Sequence, residues 1–325
     1  MNRKLAGVFV VTAVCLGWVL SRLDLSAAAE SFVQFRWSLM APVWAIYGAC
    51  HLLRSWRLRS LLGRPIPLLR LFSILSIGYL AIHVVPLRMG EFVRPYLLRE
   101  KEGIPFGAAL AAVFLERLVD VLMLLGMLFI VAFGVDLPVG ALVVNGVDLI
   151  VAGQRAAGAV VVLGVGGLVG MVMLGETLLS RTDRTPIGGL VRRFREGLLV
   201  LARTPGTAAL VLFQSVVIWV LTVWAVQLTM VGFVGMPATF GDALTTWTVT
   251  LTGMTALPTP GFFGGYEAAC TAVVTVLGAR SESAGAFALI LHLSQFIFTV
   301  LVGVIFLAVE GLSLRDVVGR SRELG

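Results

Sequence analysis

The sequence predicts an all-α polytopic membrane protein: six transmembrane helices plus two oppositely oriented re-entrant hairpins of broken helix, forming an inverted repeat. Three observations carry this. The 325-residue chain is 58% hydrophobic and only 13% charged, with a mean hydropathy of +0.98. That is too little charge to cover a soluble surface of such size. Its apolar segments alternate with arginine-rich ones. Two stretches, Pro86-Leu87-Arg88-Met89-Gly90-Glu91 and Pro258-Thr259-Pro260-Gly261-Phe262-Phe263-Gly264-Gly265-Tyr266-Glu267, set helix breakers beside charge, each between short apolar segments. A single integral membrane domain, 1–325, is expected, with halves near 1–156 and 157–325.

In order, residues 5–20 form the first span, with Arg3 and Lys4 holding its start in the cytoplasm. The start imitates a signal peptide, and Ala27-Ala28-Ala29 a cleavage site. The run is long for a signal, however, and Arg22 and Asp24 intervene, so an uncleaved helix is expected. Residues 25–37 lie along the outer interface and 37–53 return inward. Arg54, Arg57, Arg59, Arg64 and Arg70 then make a basic loop. Residues 71–85 give about 22 Å of helix, short of a hydrocarbon core of about 30 Å. Pro86 stops that helix. Another restarts after Glu91, because Pro95 is tolerated in a first turn.

Residues 106–133 span; 134–158 form an outer loop holding the moderately apolar piece 137–151; 159–175 cross inward. The run 181–203 carries Ile187, Leu190, Val191, Phe194, Leu198 and Leu201 at helical spacing. It reads either as an amphipathic helix on the cytoplasmic leaflet or as a plain positive-inside loop. Residues 207–230 cross outward, 240–257 and 268–277 flank the second break, and 285–309 return. This layout puts 18 of the 25 lysines and arginines inside, four (Arg22, Arg36, Arg155, Arg280) outside and three (Arg88, Arg94, Arg117) at membrane depth. The asymmetry satisfies the positive-inside rule, gives the hairpins opposite senses and leaves both termini cytoplasmic. Opposed broken helices are a common way to build a midplane transport site.

The charges at membrane depth are the candidate substrate-binding residues: Arg88, Glu91, Arg94, Glu116, Arg117, Asp120 and Glu267, with Tyr266. Each ionisable group costs about 2.5–3.5 kcal/mol at the bilayer centre on insertion scales, so they must pair or line a wet cavity. Glu116 and Asp120 share a helix face, and Arg117 can pair with Asp120. Either an internal salt-bridge network or a site follows. Arginine beside unpaired backbone N–H groups suits a phosphate. Pro86, Gly90, Pro258, Pro260, Gly261, Gly264 and Gly265 are the candidate hinge positions. His83 and His292 read as hydrogen-bonded helix histidines, with a proton relay as the alternative; His51 reads as interfacial. Cys15, Cys50 and Cys270 fall in apolar segments and read as buried small hydrophobes. No metal-ligand spacing, P-loop, dinucleotide fingerprint or hydrolase motif is present. No cofactor, metal or nucleic-acid partner is expected. The formal charge of +7 is assigned to topology and anionic lipid headgroups.

Pro86-x-Arg88-x-Gly90-Glu91-x-x-Arg94, then Glu116-Arg117-x-x-Asp120, then Pro258-x-Pro260-Gly261…Gly264…Glu267 resemble the lysylphosphatidylglycerol synthetase transmembrane-region family. That family includes the flippase domain of the bacterial multiple peptide resistance factor. Phe262 departs from the family's second glycine, Tyr266 from a basic residue before the glutamate, and Ile82-His83 from an asparagine before the first proline. The resemblance implies a lipid flippase or transporter of the bacterial cytoplasmic membrane. It would translocate an aminoacyl-phospholipid or polyprenyl-phosphate type lipid, and without the family's soluble transferase domain it would not make lysyl-lipid. A membrane-embedded lipid-modifying enzyme and a non-transporting scaffold for an envelope-biosynthesis enzyme are the alternatives. Self-association into a homo-oligomer is left open.

Overall fold

The structure, a computed structural model, describes residues 25–84, 91–135, 143–144, 147–182, 204–256, 260–314 and 317–319. The expectations for the first span, for Pro86, Arg88 and Gly90, for Pro258 and for most of 181–203 lie outside the described residues. The described chain is helical apart from one short antiparallel pair, β1 (Val143–Val144) and β2 (Val147–Asp148). The helices are α1 (Leu25–Gln34), α2 (Met40–Leu62), α3 (Leu68–Val84), α4 (Val93–Glu102) and α5 (Phe106–Gly134). After β2 come α6 (Leu149–Thr182), α7 (Pro205–Val231), α8 (Phe240–Ala256), α9 (Gly265–Val276) and α10 (Ser281–Val309).

Among the described residues, α5, α7 and α10 are long and apolar enough to cross a membrane. Their outward residues stay apolar: Phe213, Val216, Val220 and Trp224 run down one stripe of α7, and Ile297, Leu301, Val304 and Ile305 down one of α10. Hydroxyls inside these helices bond back to the preceding turn, as Ser215 does to the Val211 carbonyl and Thr222 to that of Ile218, which removes the cost of burying them. At 17 residues each, α3 and α8 give about 26 Å of helix, less than a hydrocarbon core.

Element lengths recur. The run α2–α3–α4–α5 measures 23, 17, 10 and 29 residues, and α7–α8–α9–α10 measures 27, 17, 12 and 29. Packing between the runs is reciprocal: α2 lies on α7, α3 on α10, and α8 on α5. Backbones come close where α3 meets α10. A Cβ on Gly303 would stand 2.5 Å from Leu80 Cβ and 2.9 Å from the Ser76 carbonyl oxygen.

Two sequence expectations are corrected. The helix expected to end near 53 continues to Leu62 and stops at Gly63, which takes the left-handed conformation (φ 61°). No breaker interrupts 53–62, so Arg54, Arg57 and Arg59 belong to a helix, not to a loop. The outer loop expected over 134–158 gives way at Leu149 to α6, because 149–182 contains no proline.

Candidate functional site

A cavity of about 350 Å³ opens among α2, α3, α5, α7, α8 and α10. Its charged lining is Arg54, Glu91, Arg117 and Asp120, and Tyr79, Trp219, Trp247, Phe262 and Tyr266 add aromatic walls. Glu91 stands just before α4, and Phe262 and Tyr266 belong to the second break. On α2, Tyr47, Cys50, His51 and Arg54 all reach the cavity, because steps of three and four residues share a helix face.

Behind this wall lies a buried charge network. Arg94 Nη1 donates to Glu116 Oε2 at 2.7 Å, and neither side chain is exposed. Arg57, 1% exposed, reaches the other oxygen of Glu116 at 3.7 Å. Its Nη1 also donates to Asp120 Oδ1 and to Ser215 Oγ, both at 2.9 Å. Arg117 stands 3.8 Å from Asp120, with 41% of its side chain exposed against 21% for Asp120. Two guanidinium groups approach Tyr79, Arg94 at 5.5 Å and Arg54 at 5.7 Å from its ring centroid, a range that favours cation–π attraction. Arg94 fits there because α3 carries Gly78: a Cβ at that position would fall 2.2 Å from Arg94 Cγ.

The second break is built around Glu267. Gly261 (φ 60°), Phe262 (φ 64°) and Gly264 (φ 86°) hold left-handed backbone, which glycine adopts at little cost. The Gly264 N–H donates to Glu267 Oε2 at 2.6 Å, capping α9. Glu267 Oε1 meets His292 Nδ1 at 2.6 Å, and His292 Nε2 donates to the Gly261 carbonyl at 3.0 Å. The Tyr266 ring stacks on His292, centroids 4.3 Å apart and 13° from parallel.

Of the residues singled out from sequence, Glu91, Arg117, Asp120 and Tyr266 line the cavity. Arg94 and Glu116 lie behind it as a closed pair, and Glu267 touches it through His292. Arg88 is outside the described residues. The sequence reading missed Arg54 and Arg57. Their signal was available: the spacing of Tyr47, His51 and Arg54 continues one polar helical face. His51 is buried, not interfacial. His292 is hydrogen-bonded, as expected of a helix histidine, but to another element. Cys50 and Cys270 are buried and free.

Long apolar helices, exposed apolar stripes and a cavity with a charged lining define a multi-pass helical membrane protein. Residues 5–303 match the family described as lysylphosphatidylglycerol synthase TM region. The chain belongs to that family. It is also similar to the glycosyltransferase AglD of Haloferax volcanii, 32% identical over 121 residues, which is 34% of this chain and 19% of that protein. The chain therefore spans well under half of that relative's length. No solved structure matches the chain.

Proposed function

We propose that this protein is a lipid transporter that carries a phosphate-bearing lipid across the bacterial cytoplasmic membrane. The headgroup enters the cavity while the acyl chains stay in the bilayer. The observation that carries the reading is a difference in exposure between two ion pairs. Arg94–Glu116 is fully closed, as a structural strut should be. Arg117–Asp120 is open to the cavity and its nitrogen and oxygen stand 3.8 Å apart, which leaves the arginine donors available to an anion. Arg117 and Arg54 bind the phosphate by charge-assisted hydrogen bonds. Glu91 and Asp120 compensate that charge when the cavity is empty. Arg57 and Arg94 hold Glu116 and Asp120 in place.

The recurring element lengths and reciprocal packing support an inverted repeat in which α3–α4 and α8–α9 are opposed re-entrant hairpins. Such halves rock against each other to expose a midplane site alternately. Membership in a lysylphosphatidylglycerol synthase membrane-region family is consistent with a lipid substrate.

The test uses purified protein in proteoliposomes containing fluorescent phosphatidylglycerol, with leaflet sidedness read by membrane-impermeant quenching. Wild type should move the lipid, and Arg117→Gln should slow it at least about tenfold, the loss expected for a charge-assisted contact. Equal rates in wild type, Arg117→Gln and protein-free vesicles would remove the reading. Mass spectrometry of the same lipids separates transport from modification, because transport leaves their masses unchanged.

A further inference from the structure

We propose that Glu267 and His292 form a one-proton site whose occupancy holds the second break closed, so that proton binding is coupled to movement of the α8–α9 hairpin. This deepens the transport reading by naming the coupling ion.

The proton count follows from the partners. A carbonyl oxygen only accepts, so His292 Nε2, 3.0 Å from the Gly261 carbonyl, carries a hydrogen. Glu267 Oε2 accepts from the Gly264 N–H, so that oxygen is not protonated. The 2.6 Å contact between Glu267 Oε1 and His292 Nδ1 then requires one hydrogen between them. Whether that hydrogen sits on oxygen or nitrogen, the pair is neutral overall. Glu267 is fully buried and His292 is 3% exposed, so neutrality matters: an uncompensated buried charge is expensive.

Loss of the proton leaves a carboxylate and a neutral imidazole with a single N–H, and a net charge of −1. His292 can then donate to Glu267 or to the Gly261 carbonyl but not to both, so one of the two contacts is left with lone pairs facing and opens. Glu267 is tied to Gly264 and His292 to Gly261, so losing either contact loosens the break. His292 and Tyr266 line the cavity, which gives the proton a way out. Among the described residues, the other titratable groups near the pair are His83 from α3, Tyr47 from α2, and Tyr266 and Cys270 from α9. None is a fixed cation that would hold the carboxylate ionised. The arginines that line the cavity, Arg54 and Arg117, face Tyr79 and Asp120.

The test is amide hydrogen exchange of the segment 260–268 in the full-length protein, held in nanodiscs of phosphatidylglycerol and phosphatidylethanolamine. It is run over a pH series with intrinsic exchange divided out. Wild type should lose protection about tenfold or more as pH rises through a one-proton transition, the effect of losing a buried charge-assisted hydrogen bond. Glu267→Gln, which keeps shape but cannot ionise, should give a flat profile. If that variant does not fold, His292→Gln should flatten the profile in its place. A wild-type profile without a transition overturns the proposal, as does a transition unchanged in either variant. A transition seen where the sidedness assay finds no lipid movement supports the proton site and removes the transport reading; lipid movement without a transition does the reverse.

Discussion

Arg57 Nη1 donates to Asp120 Oδ1 at 2.9 Å across 63 positions of sequence, and the same guanidinium stands 3.7 Å from Glu116. One arginine of α2 thus fixes two carboxylates on one face of α5. Removing it leaves Asp120 with the more distant, partly exposed Arg117 as its remaining ion-pair partner among the described residues. Breaking a buried ion pair from one side costs about 3–5 kcal/mol. Arg57→Ala should therefore lower thermal stability in detergent sharply. Arg57→Lys should restore little, because a single ammonium cannot reach Asp120, Ser215 and Glu116 together.

Gly303 and Gly107 make a matched pair. A Cβ on Gly303 meets Leu80 Cβ and the Ser76 carbonyl, whereas one on Gly107 has nothing within 4 Å. Gly303→Ala should force α10 off α3 and destabilise by about 1–3 kcal/mol. Gly107→Ala, in the first turn of α5, should be neutral or stabilising by about 0.5–1 kcal/mol. Thermal unfolding of both variants checks this.

At the far end of α10, Glu310 accepts from Lys101 at the end of α4 and from Ser73 of α3, the latter at 2.7 Å. The Lys101 hydrogen bond holds the Glu310 carboxyl below its ordinary value of 4.5. A lowered folded value means the stabilisation is complete above the unfolded value and is lost as pH falls through the folded one. Both side chains are about a quarter exposed, so the contribution is at most about 1 kcal/mol. Unfolding followed from neutral to acid pH should show a small extra loss in wild type that Glu310→Gln lacks.

The helical membrane class was legible because composition and apolar run length answer to the bilayer and need no knowledge of tertiary contacts. The helix that starts at Val93, just before Arg94, was legible because Pro95 is tolerated in a first turn and acts locally. Arg57 was not, because a positive-inside reading sends every arginine after a span to the cytoplasm. The spacing Tyr47, His51, Arg54 on one helical face was the signal against it. The Glu267–His292 contact could not be read, since 25 residues and a change of element separate the two, and nothing local in either helix specifies the other.

The most direct measurement asks what occupies the cavity. A photoreactive benzoylphenylalanine in place of Tyr79, on the cavity wall, is compared in native membranes with one in place of Phe213, on the outer stripe of α7, and captured lipids are identified by mass spectrometry. The Tyr79 probe should capture phosphate-bearing lipids, and adding Arg117→Gln should reduce this capture while leaving capture at Phe213 unchanged. Lipid captured at Phe213 and none at Tyr79 would contradict the transport reading.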